Sequence, residues 1–286
     1  MLMRFRLALF VAFALVGGIT AACSTDADST STSAVTDTLT VTSRADSVAH
    51  RLMTAHGADA FASAPYLRFN FAVETPTGAR VLGRHFWGRT TGQYRVEWAS
   101  GPDSAYVALI NVRNVDDELP EGTAFLNGTK LSGSASTKAR RQAYGRFVND
   151  TYWLLAPLKV FDPGVRRAYA PDSSTAKHDV LHLTFGDVGL TPNDEYWLYV
   201  STGSNRLDRW AYHLQGMSEE TPPRVFDWTN YRTLQAPDGP VHLATRKEVV
   251  GADQAIITDA IAFPSDAPAD VFSSPDPILR PDERGK

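Results

Sequence analysis

Seven histidines, one cysteine and a scatter of carboxylates are the residues in this 286-residue chain from which chemistry could be built. His178 and His182 stand four apart, a spacing that on a helix would suit one metal ion. Here they lie in a run of alternating character, DVLHLTF, that reads as a strand. Four residues of strand span roughly 13 Å, too far for two ligands of one ion. No HExxH occurs, and a lone cysteine rules out a thiolate cluster. GTAFLNGTK, from Gly122 to Lys130, has five residues between its glycines and Thr before Lys, so it fails the spacing of a phosphate loop and reads as a turn. No GxSxG is present, and SGSAS (Ser132 to Ser136) reads as a lead-in and cap for a helix. Asp194 with Glu195, and Asp208 beside Arg209, fall at strand starts, where solvated charge is common. A hydrolytic carboxylate pair needs only a spatial separation of about 5 to 9.5 Å, so a hydrolase stays open. The sequence names no catalytic residue, no metal ligand and no cofactor.

The six tryptophans carry a different chemistry: Trp87, Trp98, Trp153, Trp197, Trp210 and Trp228. Aromatic residues alternating along strands fill a core, and the same residues line a cavity for an acyl chain, which is recognised by apolar contact and few polar groups. Composition alone does not separate these uses.

Cys23 stands at the end of an unusual amino terminus. Arg4 and Arg6 precede the apolar run Leu7 to Val16, followed by Gly17, Gly18 and ITAAC. This is the charged, apolar and small-residue order of a secretory signal, too short to span a membrane stably. Cys23 resembles the lipobox cysteine of bacterial lipoproteins, with Ala21 and Ala22 at the small positions and Thr20 where Leu is commonest. The resemblance implies acylation of Cys23 after removal of residues 1–22. A plain signal cut near Ala22 is the alternative. Either way no internal disulfide can form, and loss of Arg4 and Arg6 takes the net charge from −4 to −6. With 28 Lys and Arg against 32 Asp and Glu and no basic run, nucleic acid is an unsuitable partner. Ser24, where an acid would favour retention at the inner membrane, points to the outer membrane.

Several kinds of element must position these residues. Residues 23–42 are nearly all Ser, Thr, Asp and Ala and read as a disordered tether. Ser43 caps a short helix that ends at Gly57. From Tyr66 the period becomes two, giving five short strands to Leu126 and seven more from Val165 to Phe263, with no βαβ rhythm. Between them Ala143, Tyr144, Phe147, Val148, Thr151, Leu154 and Leu155 form one apolar stripe of a long helix, with Lys138, Arg141, Gln142, Asn149 and Asp150 on its polar side. The expected fold is mainly β (α+β): a strongly curved antiparallel sheet or incomplete β-barrel of about 11–12 strands, in residues 43–263, covered by this helix and the shorter N-terminal one. Residues 264–286 form a Pro-rich tail expected on the surface or disordered. Several strands, EYWLYV among them, are apolar on both faces, which requires cover on both or a cavity on one.

The helix ending in NDTYWLLAPLKVFDPGV, the segment DVLHLTFGDVGLTPNDEYWLYV and the following NRLDRWAYHL resemble a group of bacterial envelope proteins related to the outer-membrane lipoprotein-sorting proteins, the LolA- and LolB-like group. AHGADAFASAPYLRFNF is similar to their first helix and strand. The resemblance implies an incomplete antiparallel barrel around helices, with a hydrophobic cavity for acyl chains. It carries over no site residue. The expectation is thus a lipid-anchored envelope protein that binds a lipid or acyl chain without catalysis. Phe147, Trp153, Leu154, Leu155, Trp87, Trp98, Trp197 and Trp210 are its candidate cavity or core lining. A structural or interaction module with a filled core is the alternative.

Overall fold

The computed structural model describes residues 41–186 and 190–279. Cys23, the signal segment and most of the tether lie outside them. Helix α1 runs Arg44–Ala55 and α2 Ala58–Ser63. Ser43 caps α1, its Oγ accepting from the Asp46 amide at 3.0 Å. Gly57 joins the helices at φ 78°, and a Cβ there would sit 2.2 Å from the Pro240 carbonyl oxygen. Only glycine permits both that backbone and that approach. The reading of one short helix therefore missed α2, which the tight turn makes possible.

Five strands follow as a meander: β1 (Tyr66–Thr75), β2 (Gly78–Gly88), β3 (Gln93–Ala99), β4 (Ala105–Asp116) and β5 (Leu119–Leu126), with the two-residue β6 (Thr129–Lys130) at the edge. Helix α3 spans Gly133–Leu155 and passes into a 3₁₀ turn at Ala156–Leu158, where Pro157 ends the α-helical ladder. A second meander then runs through β7 (Val165–Tyr169), β8 (His178–Phe185), β9 (Glu195–Ser201), β10 (Leu207–His213), β11 (Arg224–Ala236), β12 (Gly239–Val249) and β13 (Ala255–Ala262).

All thirteen strands form one antiparallel sheet in the order β6-β5-β4-β3-β2-β1-β13-β12-β11-β10-β9-β8-β7. The first and last strands pair at its middle, and α3 joins the two outermost strands. Twelve strand spacings laid flat would span roughly 58 Å, whereas 23 helical residues reach about 34 Å. The edges curl toward the helix, which packs on strands of both halves, and the sheet is a curved, unclosed half-barrel. Register shifts between Arg68 and Asn70, Phe71 and Ala72, Asn111 and Val115, and Leu207 and Arg209 add local bends.

The helices fill the concave side. The first half of α3 lays Ala139 and Ala143 on Tyr94, Val96, Trp98, Ala108, Ile110 and Ala124. Its second half, with α1 and α2, covers the larger cluster on β1 and β7–β13.

The tail from Pro264 through Leu279 packs on the outer face of the sheet. Val271 and Leu279 are buried against Phe86. Arg95, fully buried, pairs with Glu97 at 2.7 Å and donates to the carbonyls of Val271, Ser274 and Asp276. Glu97 accepts from the Ile278 and Leu279 amides at 2.8 and 3.0 Å. These two strand charges give the tail's backbone its partners, an organisation between distant segments that composition does not reveal.

Candidate functional site

The concave wall is built by alternation. In β9 Leu198 and Val200 point inward, in β10 Trp210 and Tyr212, in β11 Phe226 and Trp228, and in β12 Val241 and Leu243, all buried. Trp210 lies 5.2 Å from Trp228, centroid to centroid, and 5.1 Å from Tyr196. Trp153 from α3 enters this wall edge-on, 4.4 Å from Trp210 and 4.8 Å from Phe226. Leu154 and Leu155 beside it have 0% and 1% of their surface exposed.

Among the described residues, the buried indole N–H groups of Trp87, Trp98, Trp210 and Trp228 have no hydrogen-bond acceptor. Buried Trp N–H groups ordinarily find one, and an unmet donor costs about 1–3 kcal/mol.

Among the titratable side chains buried inside, which include His56 and Asp150, two strand residues stand out. The first, His85, comes from β2, where Gly83, His85 and Trp87 alternate inward. Its Nδ1 is hydrogen-bonded to the Tyr94 hydroxyl, its ring stacks on Phe69 at 4.3 Å, and its Nε2 lies 3.2 Å from Asp150 Oδ2 of α3. That last contact is close but off the ideal hydrogen-bonding direction. Asn149 donates to the other Asp150 oxygen at 2.7 Å. Burial drives the His85 pKa down, against the pull of Asp150, and drives that of Tyr94 well above its ordinary value. A Cβ on residue 83 would lie 2.7 Å from His85 Nε2, so glycine makes room for this contact. Asp150 thus belongs to the buried face of α3, correcting its placement on the polar side. The apolar period was read correctly, but a carboxylate facing a buried histidine falls outside it.

The second is Lys247 of β12, completely buried. It stands across from Trp228 on β11 and Ile256 on β13. Its Nζ donates to the Ala244 carbonyl at 2.8 Å and Thr258 Oγ1 at 2.9 Å, and lies 5.0 Å from the Trp228 ring centroid. Burial brings its pKa from 10.5 down to about 7. Sequence reading passed over this residue, yet a signal existed: counted by twos from Val241 and Leu243, position 247 faces inward.

Of the expected lining residues, Trp153, Leu154, Leu155 and Trp210 meet in the large cluster, where Trp87 packs at the margin. Trp98 belongs to the smaller cluster, and Phe147 packs against it, 5.0 Å from both Trp87 and Tyr94. Trp197 falls on the outer face instead, half-buried and stacked on His182 at 4.8 Å, because its neighbours Tyr196 and Leu198 take the inward positions. His178 and His182 approach Asp208 and Glu195 at 3.1 and 2.8 Å. Among the described residues no group of three or more His, Cys, Asp or Glu could hold a metal ion. Cavities of about 330 and 290 Å³ occur where the tail meets the sheet, the first lined by Arg68, Phe86 and tail residues, the second bounded by Phe272. Neither is lined by α1, α2 or α3.

No protein-family model matches the chain. No curated protein matches it either. Among solved structures, a DUF1329 family protein from Desulfovibrio piger is similar, at 10% identity and a TM-score of 0.44, over 81% of this chain and 98% of that one.

Proposed function

We propose that this chain is a lipid-anchored cell-envelope protein whose half-barrel takes a hydrophobic ligand, a lipid or a lipoprotein acyl chain, against its concave wall. The observation that carries the reading is that wall: a run of aromatic rings whose buried indole N–H groups at Trp210 and Trp228 lack acceptors. The ester or carboxyl oxygens of an amphiphile are the acceptors such donors need, while its chain matches the rings. The cover over the wall is a helical layer, not a second sheet, and a helix can shift without breaking a strand ladder. In this reading the acylated Cys23 holds the domain to the outer membrane, and residues 24–42 set its reach. No catalytic role is proposed.

A structural or interaction module with a filled core is the second reading, favoured by the close packing of Trp153 between Trp210 and Phe226 and the full burial of Leu154.

Leu154→Ala distinguishes the two. Truncating a buried Leu costs about 2–5 kcal/mol, the higher values arising where the surroundings cannot relax. A binding half-barrel predicts a loss at the low end in urea melts together with altered affinity for a fluorescent fatty acid. A loss near the top, with wild type binding no probe, establishes the filled core. The anchor is tested separately: wild type incorporates labelled palmitate and enters a detergent phase, and Cys23→Ala does neither. Palmitate uptake by the alanine variant overturns the lipoprotein assignment.

A further inference from the structure

Lys247 is a cation with no anion. Its ammonium has three hydrogens to donate, and its two hydrogen-bonded partners, the Ala244 carbonyl and the Thr258 hydroxyl, are neutral. Among the described residues no carboxylate lies within 4 Å of it, and burial is the influence that sets its acidity. Buried lysines are ordinarily paired, because an isolated ammonium in apolar surroundings is costly. The indole N–H groups of Trp228, directly across the strand pair, and of Trp210, 5.2 Å further by ring centroids, are buried donors without acceptors. This part of the wall therefore offers positive charge and N–H donors amid apolar rings, and supplies none of the negative charge that would complement them.

We propose that Lys247 is the headgroup receptor of the concave wall and that the ligand it receives is a long-chain carboxylate. One lysine balances one negative charge, which matches a carboxylate, whereas a phosphate monoester near neutral pH carries about −1.5 to −2. The carboxylate takes the open valence of the ammonium, and the alkyl chain lies along Trp228, Trp210 and Phe226. α3 packs against β12, so entry requires the helical cover to move. The assignment rests on the hydrophobic-ligand reading above and narrows it to one headgroup.

The test is displacement of a fluorescent fatty acid from the purified full chain by palmitate and by hexadecanol, which share a chain and differ in charge. Wild type is expected to prefer palmitate by about tenfold or more, the usual worth of a hydrogen bond to a charged group. Lys247→Met, which keeps the side chain's length and removes its charge, is expected to abolish that preference while hexadecanol affinity stays within about threefold. Wild type binding both competitors equally overturns the receptor assignment and leaves the hydrophobic site standing. Wild type binding neither overturns the hydrophobic-ligand reading, and this inference with it. A Lys247 variant that keeps the palmitate preference also overturns the assignment, and Lys247→Gln, which keeps a polar donor without the charge, serves as the second variant where Lys247→Met does not fold.

Discussion

His85 and Lys247 are both completely buried on the concave side, on strands two places apart from the middle of the sheet in opposite directions. They differ in what meets them. His85 has an acid from α3, a phenol from β3 and a ring stacked on its face. Lys247 has two neutral oxygens and an indole. The first set joins the helical layer to the sheet and leaves little for a ligand to add. The second lies within the sheet, on β12 and β13, and lacks a counter-charge. Burial by itself therefore says little about role; the complement of partners separates a structural brace from a candidate receptor.

The largest expected effect concerns the unpaired member. Folded Lys247 releases its proton near pH 7 and the unfolded side chain near 10.5. Between those values the unfolded state binds more protons, so this residue's contribution to stability rises with pH across the window. Below pH 7 its burial penalty, on the order of 4–5 kcal/mol, is fully present. Lys247→Met should exceed wild type in urea melts at pH 7 by several kcal/mol, with the gap closing toward pH 10.5. A constant gap, or a less stable variant, would mean that the amine is not held against its charge.

A paired buried charge should respond oppositely. Glu97 holds Arg95 and the amides of Ile278 and Leu279, so Glu97→Ala strands a buried guanidinium and should cost about 3–5 kcal/mol. Limited proteolysis should then cut between Pro264 and Leu279, where wild type resists. Equal stability of the variant would remove the tail's claim to be part of the fold. A smaller effect is expected at the histidine. Asp150→Ala leaves His85 without its carboxylate and should cost about 1–3 kcal/mol. A loss as large as that at Glu97 would show Asp150 and His85 to be a true ion pair.

Much of this architecture was legible in the chain. Periods of two in YLRFNF and EYWLYV, and of three and four through Ala143, Phe147, Leu154 and Leu155, reflect backbone geometry that any core imposes locally. The two strand sets around one helix followed from that, and so did the curved antiparallel sheet. The same period places Trp197 opposite Leu198, on the outer face, whereas its aromatic character alone suits a lining position. β6 escaped notice because two residues carry no period.

What the sequence alone determined, then, is the identity and inward or outward phase of most elements, since side-chain alternation is a property of a strand or helix by itself. Tertiary structure decided which residues share a neighbourhood. β1 and β13 pair across some 190 residues, Arg95 and Glu97 find a tail about 180 residues away, Asp150 finds His85, and Lys247 finds Trp228 and no acid. Such meetings depend on the whole sheet curving around its helix. Whether a buried charge is neutralised is a sum over those neighbours, which no local spacing contains.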